Sequence, residues 1–126
     1  MKNLKLFLIS ILAVFAIIVS MSSCSPDNDV ELDQTLLYGK WQETNSLNFE
    51  VYKADGTGYT WDEADDVTEA EADPFTWTLE KSILTNIIIT EMGGNIQKKY
   101  TITKLTTTEL SYVDDFSKTH TFSKIQ

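Results

Sequence analysis

The stretch Phe75-Thr76-Trp77-Thr78-Leu79 decides the fold class, because large apolar side chains alternate strictly with threonines along it. Alternation with a period of two is typical of a β-strand that buries one face and exposes the other. Threonine and the aromatic residues also favour strands. The stretch therefore predicts a strand whose Phe75, Trp77 and Leu79 side chains point toward a core.

The same alternation recurs on both sides of this stretch, and short turn signals separate the runs. An Asp-Gly pair within residues 53–58 is typical of a β-hairpin, and Gly93-Gly94-Asn95 ends a β-branched run that begins at Ile83. The other runs are a strand around 39–45, Leu47/Phe49/Val51, Tyr59/Trp61, Tyr100/Ile102, Leu110/Tyr112 and His120/Phe122. Eight candidate strands with mostly hairpin-length connections predict an all-β, eight-stranded antiparallel up-and-down barrel, with a two-sheet sandwich as the alternative.

The residues before this domain have the pattern of a secretion signal. Residues 1–5 are basic, Phe7 to Met21 is an apolar segment, and the small residues Ser22-Ser23 stand directly before Cys24. This order is typical of a cleaved signal peptide. The apolar segment has about fifteen residues, fewer than the roughly twenty that span a bilayer. Residues 1–23 are therefore predicted to form a signal helix that is removed.

The site Met21-Ser22-Ser23-Cys24 resembles a lipobox, the processing signal of bacterial lipoproteins. The resemblance implies that Cys24, the only cysteine of the chain, becomes the new N-terminus and holds the protein on a membrane through acyl chains such as palmitate. The polar, acidic residues 24–35 predict a flexible tether. An acidic segment that starts with Ser25 also resembles the surface-export signal of some Gram-negative lipoproteins. This resemblance implies attachment to the outer membrane and favours its outer, cell-surface side.

Gly39-Lys40-Trp41 resembles the Gly-x-Trp signature of lipocalins and their relatives, in which the tryptophan packs across the base of the barrel. Four later motifs resemble small lipocalin-like domains of secreted bacterial lipoproteins: Asp-Gly-Thr-Gly at 55–58, Phe-x-Trp-x-Leu at 75–79, Tyr-x-Ile at 100–102 and Leu-Thr-x-Thr-Glu-Leu at 105–110. The chain has no arginine to pack over the tryptophan as in true lipocalins, which places it among their distant relatives. The resemblance implies a lipocalin-like barrel over residues 36–126.

Residues on the alternating face of the strands are candidates for the barrel interior. They are aromatic apart from one histidine: Trp41, Phe49, Tyr59, Trp61, Trp77, Tyr100, Tyr112, His120 and Phe122. An eight-stranded barrel has room for packed side chains or for one small ligand. We therefore expect either a cavity that binds a small apolar or amphipathic molecule, or a filled core in an envelope protein that contacts protein or glycan through its surface.

Composition argues against other functions. With a net charge of −9 and no arginine, the chain is a poor candidate for binding nucleic acid. His120 is the only histidine, so we expect no zinc site, no catalytic triad, no cofactor and no enzymatic activity. Residues 62–73 hold seven acids and no base. Such oxygen ligands suit Ca²⁺, but Val67 stands where an EF-hand requires glycine, so a solvated rim loop or lid is the alternative.

Overall fold

The computed structural model describes residues 31–126, so the predicted signal peptide, Cys24 and most of the predicted tether lie outside the described residues. The strands are β1 (Gly39–Glu43), β2 (Asn48–Tyr52), β3 (Thr57–Asp62), β4 (Asp73–Glu80), β5 (Ile83–Ile89), β6 (Asn95–Leu105), β7 (Glu109–Val113) and β8 (Thr119–Lys124). Each strand pairs antiparallel with the next, and β1 also pairs with β8, which closes the barrel. The predicted eight-stranded up-and-down barrel is confirmed, and the sandwich alternative is wrong.

Within residues 31–126, three short 3₁₀ helices accompany the strands, at Gln34–Leu37, Glu63–Asp65 and Glu69–Glu71. The first begins at Asp33, whose carboxylate accepts a hydrogen bond from the backbone N–H of Thr35 at 3.0 Å. In the part of the chain that the structure describes, no helix is long and apolar enough to cross a membrane.

The barrel has two different ends. The β2–β3, β4–β5 and β6–β7 turns and the helix Gln34–Leu37 lie at one end, which we name the closed end. The predicted Asp-Gly hairpin lies there, and Gly56 adopts a φ of 81° that favours glycine. The β1–β2, β3–β4, β5–β6 and β7–β8 connections lie at the opposite end, which we name the open end.

Trp41 packs across the closed end, where its side chain is fully buried with Leu37. Its Nε1 donates a hydrogen bond to the Leu37 carbonyl at 2.8 Å. The Nζ of Lys124 lies 4.8 Å from the centroid of the Trp41 ring. A lysine therefore supplies the cation over the tryptophan in a chain that has no arginine.

The main core fills the barrel next to this end. Its buried residues include Tyr52, Phe75, Trp77, Leu84, Ile102, Leu110, Tyr112 and Phe122. The strand 75–79 behaves as its alternation predicts, because Phe75 and Trp77 are buried whereas Thr76 and Thr78 are exposed.

Phe49, Tyr59 and Trp61 do not lie in the interior, which corrects the prediction for these three residues. Phe49 pairs with Trp61 across β2 and β3, and their rings stack with centroids 4.8 Å apart. With Val51 they form a second cluster, separate from the main core, on the outer face of the barrel wall. Both faces of β2 are buried: Phe49 and Val51 lie on the outer face, and Glu50 and Tyr52 lie on the inner one.

The acidic segment 62–73 buries this outer face. Val67 and Ala72 pack on the second cluster, and Glu69 pairs with Lys40 at 2.8 Å. Thr68 and Glu71 form a capping box at the start of the last 3₁₀ helix. Residues 31–126 contain no group of three or more His, Cys, Asp or Glu residues that could hold a metal ion. The segment therefore covers the outer wall instead of closing the barrel as a lid.

Candidate functional site

The interior is not filled at the open end, where a cavity of about 320 Å³ remains. This volume is at the lower limit of ordinary small-molecule sites. Glu50, Thr60 and Asn86 form a polar floor, and Phe75, Ile88, Tyr100 and Tyr112 line the walls. Lys98, Asp114, Phe116 and His120 surround the mouth. No residue of the acidic segment 62–73 lines this cavity.

The nine residues predicted to face the interior occupy three places. Tyr100, Tyr112 and His120 line the cavity. Trp41, Trp77 and Phe122 belong to the main core between the cavity and the closed end, and they do not line the cavity. Phe49, Tyr59 and Trp61 lie on the outer wall.

Glu50 is the centre of the cavity floor. β2 brings its side chain inward, opposite Thr60 of β3, and only 6% of its surface is exposed. One carboxylate oxygen accepts a hydrogen bond from the Tyr52 hydroxyl at 2.7 Å, and the other accepts one from the Tyr112 hydroxyl at 2.8 Å. Two strands that are distant in sequence thus hold one buried acid.

Asn86 extends this network from β5. Its Nδ2 donates a hydrogen bond to the Tyr52 hydroxyl oxygen at 3.1 Å. The Asn86 side chain is 4% exposed, and its Oδ1 has no hydrogen-bond partner among the described residues. Most buried polar atoms in folded proteins have a partner, so an orphaned carbonyl beside a cavity is unusual.

Burial dominates the electrostatics of the floor. It raises the pKa of Glu50, and the hydrogen bonds from Tyr52 and Tyr112 oppose this rise only in part. Burial and the neighbouring Glu50 carboxylate raise the pKa of both tyrosines well above the ordinary value. The two hydroxyls therefore stay protonated and available as donors.

His120 connects β8 to its neighbours at the mouth. Its Nδ1 lies 2.7 Å from a Glu43 carboxylate oxygen, and its Nε2 lies 2.9 Å from an Asp114 carboxylate oxygen. Burial lowers the pKa of His120, but the hydrogen bonds to Asp114 and Glu43 outweigh it and raise the pKa overall. Because carboxylates occupy both ring nitrogens, neither nitrogen is placed to take a proton from a hydroxyl group.

Glu50 and Asn86 were not among the predicted site residues, because a polar residue between apolar ones in a strand usually faces solvent. Gly58 carries a signal that the prediction overlooked. It pairs with Tyr52 and Phe75, and a Cβ atom on Gly58 would lie 2.5 Å from the Phe75 ring. A glycine inside a strand pattern marks such a close approach. It indicates that the alternate residues that include Gly58 in β3 and Tyr52 in β2 face inward.

The comparisons with known proteins agree with this architecture. The family model described as "Lipocalin-like domain" matches residues 21–112, from before β1 into β7. No curated protein matches the chain, and no solved structure does. The matched segment covers well over half of the sequence, and the closed barrel with Trp41 across its base is the fold that this family implies. The chain belongs to the lipocalin-like domain family.

Proposed function

We propose that this protein is a lipid-anchored binding protein of the bacterial envelope, which holds one small amphipathic molecule in the cavity at the open end. One observation carries the proposal: Asn86, whose buried Oδ1 has no partner in the described part of the chain, lines about 320 Å³ of unfilled interior. A core that served only to stabilise the barrel would gain from filling this space and satisfying this atom.

The lining favours an amphipathic ligand over a wholly apolar one. The floor presents Glu50 and Asn86, and the walls present Phe75 and Ile88. A hydrocarbon placed against the floor would cover these polar groups without giving them hydrogen bonds, which is costly. A ligand with one polar end and an apolar body matches both surfaces.

The anchor is the second part of the proposal. The lipobox-like site at Cys24 supports lipid attachment. The acidic residues that follow it support placement on the outer membrane and favour its outer leaflet. A palmitate analogue supplied to the expressing bacteria should label the wild-type chain and not Cys24→Ser. Labelling of Cys24→Ser, or recovery of the wild type in the inner-membrane fraction, would contradict this part.

We propose binding without catalysis and without a cofactor. The His120 ring is held between two carboxylates, and the buried Glu50 is held by two tyrosine hydroxyls. Within residues 31–126 neither group is hydrogen-bonded to a serine, threonine or cysteine side chain, so the site lacks the usual pairing of a base with one of these nucleophiles.

A second function has one observation in its favour. Met92 and Phe116 are 96% and 92% exposed, and they occupy the β5–β6 and β7–β8 connections at the open end. Exposed apolar side chains at neighbouring loop tips are typical of contact surfaces. In this alternative the barrel contacts an envelope protein or glycan through its open end.

Native mass spectrometry of the full chain, exposed to an envelope lipid extract, tests the binding function. The wild type should carry a defined adduct that disappears on denaturation. Thr60→Trp fills the cavity from β3 and should abolish the adduct, whereas Thr78→Trp, on the exposed face of β4, should retain it. A wild-type chain that stays free of adduct would reject small-molecule binding and favour the surface-contact alternative.

A further inference from the structure

We infer that the ligand carries a primary ammonium group, and that this group enters the cavity first and binds between the Glu50 carboxylate and the Asn86 carbonyl oxygen. The inference rests on the proposed binding function and names the chemistry of the ligand's polar end. It depends on the hydrogen-bond directions at the floor, on the charges around it and on the shape of the cavity above it.

The hydrogen bonds around Glu50 use the hydroxyl hydrogens of Tyr52 and Tyr112 and leave acceptor positions at the floor. An ionised carboxylate only accepts, so the single hydroxyl hydrogens of Tyr52 and Tyr112 are both used by Glu50. The Tyr52 oxygen must then accept from Asn86, which fixes the amide so that Nδ2 faces Tyr52 and Oδ1 faces away from it. A carboxylate has about four acceptor positions, and these two hydroxyls occupy two of them.

The charges around the floor leave Glu50 without a counter-ion. Within residues 31–126 no ion pair involves Glu50, whose hydrogen-bond partners are the two tyrosine hydroxyls. The nearby His120 is already paired with Glu43 and Asp114. Lys98 and Lys99 line the mouth, where both are exposed, together with the acid Asp115.

A primary ammonium group supplies what this floor lacks. It brings three N–H donors and one positive charge. One donor satisfies the orphaned Asn86 Oδ1, and another reaches a remaining acceptor position of Glu50. Charge-assisted hydrogen bonds of this kind are stronger than neutral ones, and an ion pair away from bulk water is screened less.

An anionic head group does not suit the same floor. It would meet a carboxylate and a carbonyl oxygen, and the floor hydroxyls already donate elsewhere, those of Tyr52 and Tyr112 to Glu50 and that of Thr60 to the Phe49 carbonyl. If its head stayed at the mouth beside Lys98, its hydrocarbon would cover Asn86 and Glu50 and leave both unsatisfied. A neutral alcohol gives one donor and no charge, so its affinity should lie between those of the ammonium and the anion.

Three probes with the same hydrocarbon separate these cases: hexylammonium, 1-hexanol and hexanoate. Each is titrated calorimetrically into the full chain held in nanodiscs, with empty nanodiscs as the blank. We expect hexylammonium to bind about tenfold or more tighter than hexanol, as a charge-assisted hydrogen bond implies, and hexanoate to bind weakest. Glu50→Gln should bring the affinities for amine and alcohol close together.

Glu80→Gln is the matched control, because it removes the same charge from an exposed position near the closed end. It should leave the preference for the amine unchanged, which excludes a general attraction of cations to an acidic protein. A second experiment uses the wild type alone. The side-chain amide signal of Asn86 in its nuclear magnetic resonance spectrum should shift when hexylammonium is added and should not shift with hexanoate.

The outcomes separate this inference from the function on which it rests. If hexanol or hexanoate binds as tightly as hexylammonium, or if Glu50→Gln keeps the preference, the ammonium assignment is overturned and the binding function stands. If no probe binds and the Asn86 signal does not move, the assignment is also overturned. The adduct experiment with envelope lipid extract then decides whether the cavity binds anything.

Discussion

The Nζ of Lys124 lies 4.8 Å from the centroid of the Trp41 ring and donates hydrogen bonds to the carbonyls of Leu36 and Tyr38, at 2.9 and 2.8 Å. The lysine thereby joins the last strand, the first strand and the helix Gln34–Leu37 at one point. These carbonyls belong to the end of a helix, where the main chain leaves acceptors unpaired and favours a positive charge. One flexible side chain thus bridges three elements at the base of the barrel.

Replacing Lys124 with methionine should lower the free energy of unfolding by about 2 kcal/mol, because it removes a cation–π contact and two hydrogen bonds from a charged donor. Lys124→Arg should retain most of this stability, since a guanidinium group also lies flat on an indole ring. Chemical denaturation of both variants measures the effect. Lys118→Met, at an exposed position in the β7–β8 connection, is the control. Equal losses in Lys124→Met and Lys118→Met would reject the role of Lys124.

Adding a methyl group at Gly58 should destabilise the barrel by about 2 kcal/mol, as overpacking of a filled interior does. A Cβ atom there would lie 2.3 Å from the Val51 carbonyl oxygen and 2.5 Å from the Phe75 ring. Gly94→Ala is the control, because its nearest neighbour, the Thr90 side chain, is 3.6 Å away. Thermal unfolding compares the two variants. If Gly58→Ala is as stable as Gly94→Ala, Val51 of β2 and Phe75 of β4 do not approach Gly58 as closely as the structure has them.

The barrel could be predicted from the sequence because most of its strands bury only one face. Along β4 the apolar residues are inside and the threonines outside, so alternation alone gives the strand and its orientation. The Asp-Gly turn at residues 55–56 and the Gly-Gly turn at 93–94 likewise stand between paired strands. Local pattern and global fold agree at these positions.

The cavity floor could not be predicted in the same way. The orientation of β2 depends on the segment 62–73, which folds back over Phe49 and Val51 and buries the face that would otherwise meet solvent. That contact joins residues that are distant along the chain and leaves no periodic signal. With the apolar face of β2 outside, Glu50 necessarily points inside. The hydrogen bond from Tyr112 to Glu50 depends on the same register.

Glu50 should make the stability of the wild type fall as pH rises. Burial raises its pKa in the folded state above the ordinary value of 4.5. Between that value and the raised one, the folded state binds more protons than the unfolded state, so the free energy of unfolding decreases with pH. Glu50→Gln should remove this part of the slope. The measurement is denaturation at a series of pH values starting near 4.5, and parallel curves for both proteins would contradict the buried, raised pKa.

His120 should titrate above its ordinary value of 6.5, because its hydrogen bonds to Asp114 and Glu43 favour the charged ring more than burial disfavours it. Its stabilising effect should be complete below 6.5 and be lost as pH rises through the raised pKa. The ring signals of His120 in a nuclear magnetic resonance titration give the midpoint directly. Asp114→Asn and Glu43→Gln should each lower that midpoint, since each removes one negative partner. Asp55→Asn, at the closed end, should leave it unchanged. A wild-type midpoint below 6.5 would show that burial dominates, and that the two carboxylates do not hold the mouth of the barrel through a charged histidine.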